Sequence, residues 1–476
     1  MMIPEAAGQT PAQSLFHEAL VLIAEGHPDE ALLKLRQACA LEPDFIEAWG
    51  NMGFLLDRGG DREGAELCYL RAIELGGTHP QLFLNYGALL NRAKRHAEAE
   101  AVYHEGLRED PRSAALWSNL GVLFANLKRD AHAENCFRTA LDISPDYSSA
   151  RYNLGFLQLR QGLLREGFAG LEARDWYASM EKVLSDTLGI PRWKGESLEG
   201  RSILISCEAG AGDMIQFSRY ASELRKRGAR RVDILCHPGL TRLFASLADA
   251  DRIHALDQSV SSADWDCWSP PLSLPHYCGT EGRNIPAPIP YLHATPEDLL
   301  RWQACLPTSG LRVGLVWQGN PRFENDSERS LRSVADLAPL WTVPGVSFVS
   351  LQKGAGEDDA VAFSRLQPLS LIGPQLQDFA DTAAVLANLD LVISVDTAVA
   401  HLAGAMGVPC WLMLPDYGTD WRWQRERTDS AWYPQGMRLF RQERDGNWAP
   451  VIMKLAAALG TLAMPQRAAT ESRRSA

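Results

Sequence analysis

The chain has 476 residues, 46% of them hydrophobic, and a formal net charge of −12. This length accommodates two to four domains with buried cores, and the negative charge argues against a nucleic-acid or anionic-membrane surface. The nine cysteines include no CxxC pair and no Cys/His metal spacing, so we expect reduced thiols and no metal site. The N-terminus lacks a charged segment before an apolar run, and no window reaches 18 consecutive apolar residues. We therefore expect a cytoplasmic protein with no transmembrane segment and no nucleic-acid partner.

Residues 12–168 repeat at a period of 34. In the repeat an aromatic position is followed by Asn two residues later and by Gly four residues later. The aromatic residues are Trp49, Phe83 and Trp117. The asparagines are Asn51, Asn85, Asn119 and Asn153, and the glycines are Gly53, Gly87, Gly121 and Gly155. The pattern predicts pairs of short amphipathic helices, with Gly where two helices approach closely. It resembles the tetratricopeptide repeat over about four and a half units. The first unit departs from it, with Leu15 at the aromatic position, as is typical of a capping repeat.

Such repeats stack into an α-solenoid with a concave groove that binds peptides. Four asparagines at one repeat position, Asn51, Asn85, Asn119 and Asn153, are predicted to project into it as a ladder. A primary amide both donates to and accepts from a peptide backbone without reading its sequence. O-linked N-acetylglucosamine transferases, which also place such repeats before a transferase domain, hold the acceptor with a comparable ladder. We therefore expect a protein or peptide acceptor in the groove, although Asn is common at this position in other repeats.

A connecting helix and linker are predicted at 169–199, followed by a strand at 201–207, a Gly-rich turn and a helix. Gly210 and Gly212 let the backbone approach a ligand closely. The turn lacks the third glycine of a dinucleotide fingerprint, so we reject a dehydrogenase. Asp213 lies at the start of the helix, where it either caps the helix or acts on a ligand.

Two α/β lobes are predicted, at 200–296 and 297–462. The first has a further strand at 231–236, and its Trp-, Pro- and Cys-rich residues 263–279 are predicted as an irregular loop beside the cleft. Four prolines at 284–296 indicate the linker between the lobes. The second lobe is predicted from strands at 311–319, 346–354, 391–395 and 410–414, and residues 420–427 and 437–442 complete it. Residues 463–476 are predicted as a disordered tail. Ligands of such proteins lie in the cleft between the lobes.

One turn stands out in the second lobe, between the strand 391–395 and a small-residue helix at 398–406. Asp396 and Thr397 lie where the strand ends, and either can cap the helix. Free backbone N–H groups and the positive end of a helix at the carboxyl edge of a parallel sheet suit a phosphate. We interpret the turn as the diphosphate end of a nucleotide-sugar site. The alternative is an ordinary capped strand-turn-helix unit.

A resemblance to the heptosyltransferase-like domain of glycosyltransferase family 9 rests on four segments: GAGDMIQFSRY, WQGNPRFENDSERS, DFADTAAVLANLDLVISVDTAVAHLAGAMG and WRWQRERTDSAWYPQGMRLFRQ. It covers roughly residues 200–462. The resemblance implies a GT-B fold, which has two Rossmann-like lobes, and transfer from a nucleotide-diphospho-sugar without a metal ion or other cofactor. It also implies that Asp213 is the general base and that the second-lobe turn binds the donor through Asp396, Thr397, Ala398 and His401.

The sequence departs from the heptosyltransferase pattern at two places. Ala398 stands where Gly is usual, and Gln318 and Gly319 precede an Arg-containing loop where those enzymes have Thr and Lys. The donor sugar and its nucleotide, ADP or UDP, therefore stay open.

Sugar transfer needs a proton acceptor for the acceptor hydroxyl and stabilisation of the leaving diphosphate. Backbone N–H groups at 397–399 are predicted to bind the diphosphate. Arg322, Arg329 or Lys353 is predicted to supply the positive charge beside it. The remaining donor-binding candidates are Gly212, Gln318, Gly319, Arg322, Arg329 and Lys353.

Two alternative functions fit the same sequence. The first is a protein O-glycosyltransferase that uses UDP-N-acetylglucosamine, with His237 or His276 as the base. The second is a non-catalytic scaffold, in which the repeats collect a partner and a degenerate transferase domain is kept as a folding unit.

Overall fold

The computed structural model describes residues 10–258, 264–286, 289–323, 325–444 and 446–474. It divides into two compact units, Met1–Leu154 and Gly155–Ala476. The division falls inside the helix Ser148–Arg160, so the end of the predicted 12–168 array lies in the second unit.

The N-terminal unit is built from consecutive helices that pack in pairs. They are α1 Pro11–Glu25, α2 Pro28–Leu41, α3 Ile46–Arg58, α4 Arg62–Glu74, α5 Pro80–Arg92, α6 His96–Glu109, α7 Ala114–Asn126, α8 Asp130–Ile143 and the start of α9 Ser148–Arg160. Helix α1 packs on α2, α3 on α4, α5 on α6 and α7 on α8. This is the helical solenoid predicted from the 34-residue period.

The repeated glycines explain how closely the two helices of a pair approach. A Cβ atom on Gly53, Gly87 or Gly121 would lie 2.8, 2.3 or 2.6 Å from an aromatic ring of the second helix. Those rings belong to Tyr69, Tyr103 and Phe137, which are themselves 34 residues apart. Any larger residue at these glycines would push the pair apart.

The C-terminal unit contains two parallel sheets. The elements of its first part are α10 Leu164–Leu171, α11 Asp175–Leu188, β1 Ser202–Ile205, α12 Ala211–Phe217, α13 Tyr220–Lys226, β2 Arg231–Cys236, α14 Thr241–Phe244, β3 Arg252–Ala255, β4 Cys267–Ser269 and α15 Leu274–Tyr277. The second part comprises α16 Pro296–Gln303, β5 Leu311–Val316, α17 Asp326–Arg329, β6 Val346–Ser350, α18 Glu357–Ser364, β7 Ser370–Leu371, α19 Phe379–Ala387, β8 Leu391–Val395, α20 Ala398–Met406, β9 Cys410–Leu414, β10 Met437–Arg441 and α21 Ala449–Arg474.

All strand pairs in both sheets are parallel. The first sheet has the order β3-β2-β1-β4 and the second the order β10-β9-β8-β5-β6-β7. Every residue of β8 is buried, as expected of a central strand covered on both faces. Its neighbour β5 pairs with it from Val313↔Leu391 to Val316↔Ser394. The predicted fold class, a tetratricopeptide α-solenoid followed by a two-lobed α/β region, is confirmed.

Two predicted irregular segments have regular structure. Residues 263–279 were expected to be a loop; residue 263 lies outside the described part of the chain, but Cys267–Ser269 forms β4, which is fully buried against β1. A three-residue strand followed by two prolines is too short to show an alternating pattern. The predicted disordered tail, 463–476, is helical through Arg474 because α21 continues into it. Ala, Gln, Glu and Arg, which favour helix, dominate that stretch.

Candidate active site

The strand order of the second sheet defines where a ligand would bind. From β5 the chain proceeds outward through β6 to β7, and from β8 it proceeds in the opposite direction through β9 to β10. The topological switch point therefore lies between the carboxyl ends of β5 and β8, where open α/β sheets bind ligands. Gln318 and Gly319 follow β5, and Asp396 follows β8. Three of the predicted donor residues, Gln318, Gly319 and Asp396, thus flank this point.

The turn after β8 leaves helix α20 without a side-chain cap. Thr397 occupies the N-cap position, but its hydroxyl lies 3.1 Å from Ser394 Oγ and makes no capping bond to the helix backbone. The first N–H groups of α20, from Ala398, are therefore not used by that side chain. They give the turn a positive end suited to an anion.

Asp396 is a largely buried carboxylate held by a tryptophan. The indole N–H of Trp423 donates to Asp396 Oδ2 at 2.8 Å, and the side chain is 15% exposed. Burial, reinforced by the charge of Asp420, raises the pKa of Asp396 to about 6, although the Trp423 hydrogen bond acts in the opposite direction. Asp396 therefore holds its proton more readily than an exposed aspartate does.

His401 packs between aromatic side chains one turn into α20. Its Nδ1 lies 3.0 Å from the hydroxyl of Tyr433, and its ring stacks on Trp423 with centroids 5.3 Å apart. Burial, together with the nearby Arg422 and Arg219 guanidinium groups, holds the pKa of His401 well below its usual value. The imidazole is therefore neutral, and in this conformation it serves packing.

The Gly-rich turn of the first lobe meets this second-lobe turn directly. A Cβ atom on Gly212 would lie 2.9 Å from His401 Cδ2 and 3.4 Å from the Cα of Ala398. Helix α12 packs along α20 from that point. The close approach predicted at Gly212 is made by the opposite lobe.

Asp213 caps a helix and forms an ion pair, and its predicted role as the base stays a prediction. Its Oδ2 accepts a hydrogen bond from the backbone N–H of Gly210 at 2.9 Å, so it caps α12. Its Oδ1 accepts from the guanidinium of Arg422, which comes from the second lobe. The side chain is nevertheless 24% exposed, and a carboxylate oxygen has more than one acceptor site.

Arg422, which sequence analysis did not single out, connects the two lobes. Besides Asp213, its guanidinium donates to Gln216 of α12 and to both carboxylate oxygens of Asp420, each at 3.1 Å. The side chain is only 8% exposed. Burial by itself would lower the pKa of Arg422, but the Asp420 and Asp213 carboxylates outweigh it and raise that pKa. Arg422 lies between two tryptophans, Trp421 and Trp423, and this position could have predicted that its side chain is buried. A buried charge needs a partner of opposite charge, so an ion pair could also have been predicted.

The remaining donor candidates differ in how far they are already engaged. The Gln318 amide donates to the backbone carbonyls of Leu331 and Arg332 at 3.1 and 3.0 Å, and the Gly319 N–H donates to Ser330 Oγ at 2.9 Å. These bonds shape the loop after β5.

Among the predicted cations, Arg329 is the least exposed. Its Nε donates to Asp326 Oδ1 at 3.1 Å, its side chain is 17% exposed, and its charge acts on Asp396. Arg322 and Lys353 are exposed.

The two histidines of the alternative hypothesis lie in different places. His237 Nε2 is 2.9 Å from the carbonyl of Ala209, beside the Gly-rich turn. His276 instead lines a cavity of about 450 Å³ with residues such as Arg165 and Arg227. The role of an alternative base stays a prediction for both histidines.

The four asparagines occupy equivalent places on the first helix of each pair and are all half-buried. Asn51 donates to the carbonyl of Glu47 at 2.8 Å, Asn85 accepts from Gln81 at 2.8 Å, and Asn153 lies 3.4 Å from Ser118 Oγ. Asn119 hydrogen-bonds Tyr103. A bound peptide would have to share or replace these bonds, so the acceptor role stays a prediction.

No helix in the described ranges is both long enough and apolar enough to cross a membrane. No group of three or more His, Cys, Asp or Glu side chains that could hold a metal ion occurs among the same residues.

The fold places this protein in a class with a helical-repeat array followed by a parallel-sheet α/β domain, which has candidate ligand residues at its switch point. Known family models match a segment of each part. The tetratricopeptide repeat model matches residues 51–114 and 90–148, and the glycosyltransferase family 9 (heptosyltransferase) model matches residues 360–411. The second match includes β8, the Asp396–His401 turn and α20 but not the Gly-rich turn of the first lobe. The chain thus contains tetratricopeptide repeats and a segment similar to glycosyltransferase family 9.

A curated relative extends over much of the chain. Protein FlbA of Caulobacter vibrioides is 26% identical over 333 residues, which cover 63% of this chain and 53% of FlbA. The chain therefore spans about half the length of that relative.

Two solved structures align with part of the chain. MamA (residues 41 to the end) of Desulfovibrio magneticus RS-1 is 21% identical with a TM-score of 0.31, covering 37% of this chain and 98% of that one. PilF of Pseudomonas aeruginosa is 17% identical with a TM-score of 0.33, covering 45% of this chain and 86% of that one.

Proposed function

We propose that the C-terminal unit transfers a sugar from a nucleotide-diphospho-sugar to an acceptor, and that the repeats bind a polypeptide acceptor. The observation that carries this proposal is the meeting of two turns, where Gly212 lies against Ala398 and His401. This contact supports a site in which the Asp213 carboxylate accepts a proton close to a helix end that binds the diphosphate. The glycosyltransferase family 9 match over 360–411 supports the same reaction class.

The donor diphosphate binds at the first turn of α20. Its oxygens accept hydrogen bonds from the backbone N–H groups at 397–399, which the Thr397 side chain does not cap. Arg329 is the best placed of the predicted cations, because its charge already acts on Asp396 and His401. It supplies positive charge that offsets the charge of the leaving diphosphate.

Asp213 accepts the proton in the transfer step. The bond between the anomeric carbon and the diphosphate oxygen breaks, and the acceptor hydroxyl oxygen forms a new bond to that carbon. The hydroxyl proton moves to Asp213, and the nucleoside diphosphate leaves with the bonding electron pair. The Gly210 N–H and Arg422 hold the carboxylate in place without covering it completely.

Substrate entry requires movement at the contact between the two lobes. At Gly212 the facing turns leave no room for even a methyl group. Arg422 spans the same contact, with Asp213 and Gln216 on one side and Asp420 on the other. We infer that donor binding separates the turns and that the Arg422 pair re-forms when the lobes close.

A ligand-stability screen tests the donor site directly. The whole chain is heated with ADP-, UDP-, GDP- and CMP-sugars and with the matching nucleotides. A donor at about 100 times its dissociation constant adds ~2.7 kcal/mol to the free energy of unfolding. The double variant Asp396→Ala/Thr397→Ala should lose this stabilisation while remaining folded.

The matched control is Asp390→Ala, which removes a carboxylate at the opposite end of β8. Asp390 accepts a hydrogen bond from the backbone N–H of Arg312 at 2.8 Å and lies away from the switch point. This control should bind the donor as the wild-type protein does. If none of the nucleotides stabilises the wild-type chain, the transferase proposal is wrong and the scaffold hypothesis gains support.

A further inference from the structure

The short turn formed by Asp420 and the 3-10 helix Trp421–Trp423 contacts both halves of the proposed site. Arg422 pairs with Asp213 of the first lobe, and the adjacent Trp423 pairs with Asp396 of the second. Trp423 is 1% exposed, so its contacts are fixed by packing. Two consecutive residues therefore hold Asp213, the proposed base, and Asp396, a predicted donor-binding residue.

Trp423 constrains the donor turn in two ways. Its indole N–H donates to Asp396 Oδ2 at 2.8 Å, and its ring stacks on His401 with an interplanar angle of 29°. His401 Nε2 lies 3.9 Å from Asp396 Oδ1, which is too far for a hydrogen bond. Oδ1 can therefore still accept a hydrogen bond from a ligand.

We propose that Trp423 is a positioning residue for sugar transfer. It holds Asp396 so that one carboxylate oxygen accepts the indole N–H and the other can accept a hydroxyl group of the nucleotide-sugar. This inference rests on the proposed donor site. An ionised carboxylate is an acceptor only, so Asp396 holds a hydroxyl of the donor best when it is charged. The tryptophan N–H stabilises that charged form.

The charges around Asp396 determine how much this one hydrogen bond matters. Burial and the charge of Asp420 oppose ionisation of Asp396 and raise its pKa, whereas the Trp423 N–H, Arg329 and Arg422 lower it. His401, whose pKa is held low, is neutral and adds no positive charge. Loss of the indole N–H should therefore shift Asp396 further toward its neutral form.

The test is Trp423→Phe, which keeps an aromatic ring against His401 but removes the N–H. The pKa of Asp396 is read from the carboxyl resonances of ¹³C-labelled aspartate, and Asp396→Asn identifies the signal by its disappearance. We expect a titration midpoint near pH 6 in the wild-type chain, in line with the raised pKa of Asp396. It should lie about one pH unit higher in the variant, because a hydrogen bond to a charged group is lost.

The matched control is Trp341→Phe, which makes the same change where the indole N–H donates to the carbonyl of Pro368 at 3.0 Å. The Asp396 midpoint should not move in this control. If Trp423→Phe fails to unfold cooperatively, Trp423→Met replaces it, since methionine is apolar and has no hydrogen-bond donor in its side chain.

A second measurement links the contact to the donor. Affinity for UDP-glucose and ADP-glucose, relative to UDP and ADP, is measured in the wild-type chain, Trp423→Phe, Asp396→Asn and the double variant. We expect about a tenfold loss of the sugar-dependent affinity in each single variant and little further loss in the double variant.

The outcomes separate the two proposals. If the two substitutions reduce the sugar-dependent affinity additively, or if the titration midpoint of Asp396 is unchanged in Trp423→Phe, the positioning role is wrong. Either result would leave the proposed donor site intact. If neither nucleotide nor nucleotide-sugar binds the wild-type chain, the donor site fails and the positioning role fails with it.

Discussion

The ion pair between Arg422 and Asp213 should contribute measurably to the stability of the C-terminal unit. Arg422→Met removes hydrogen bonds to Asp213, Asp420 and Gln216 while retaining much of the side-chain volume. Breaking a buried ion pair typically costs about 3–5 kcal/mol. Asp213 and Asp420 keep 24% and 30% of their side-chain surface exposed, so solvent compensates in part. We expect a loss of about 2–3 kcal/mol.

A double-mutant cycle isolates the contact between the lobes. Asp213→Asn retains an oxygen that can accept from the Gly210 N–H but loses the charge that faces Arg422. The double variant with Arg422→Met should lose less free energy of unfolding than the two single variants lose in sum, and the difference should be about 1–2 kcal/mol. The free energy of unfolding is measured by urea titration, with hydrogen exchange in α12 and α20 reporting on the C-terminal unit alone.

Arg438→Met is the matched control for this cycle. Arg438 is exposed on β10, where it lies over the rings of Trp411 and Phe440 at 5.9 and 4.7 Å. Its replacement should change stability by less than about 0.5 kcal/mol. If Arg422→Met and Asp213→Asn prove additive to within about 0.5 kcal/mol, the two residues do not interact in solution, and the reasoning about closure at Arg422 is refuted.

Three further predictions follow from other parts of the chain. Gly212→Ala should destabilise the C-terminal unit by about 1–3 kcal/mol, because its Cβ would lie 2.9 Å from His401, whereas Gly282→Ala, with nothing within 4 Å, should be near neutral in the same urea titration. Asp396→Asn should stabilise the unit by about 2 kcal/mol at pH 8 but not at pH 3.5. The pKa of about 6 in the folded protein makes the wild-type fold bind more protons than the unfolded chain between about pH 4 and 6, so its stability falls as pH rises through that window. Equal stability of wild type and variant at both pH values would contradict this. Replacing Asn85, Asn119 and Asn153 by Ala should weaken transfer to a polypeptide acceptor, by about 0.5–1.5 kcal/mol for each hydrogen bond lost, and leave donor hydrolysis unchanged; an equal fall in both rates would mean that the array is structural.

The sequence by itself determined the elements whose stabilising contacts are local or periodic. The 34-residue period predicts the helix pairs because Gly53 and Tyr69, like their equivalents, pack within one repeat. The apolar run of β8 and the small residues of α20 likewise predict a buried strand and a closely packed helix. The switch-point turn between them could be recognised for the same reason, since it spans only a few residues.

Tertiary structure decided which residues complete the site. Arg422 and Asp213 are 209 positions apart in the chain, and Trp423 and Asp396 are 27 apart. No periodic pattern records such pairings, because they depend on how the two lobes pack. The strand Cys267–Ser269 is a further case, since it is identified by pairing with β1 rather than by its own three residues. A buried arginine becomes interpretable only when its carboxylate partners are known, because burial of an unpaired charge is too costly to persist.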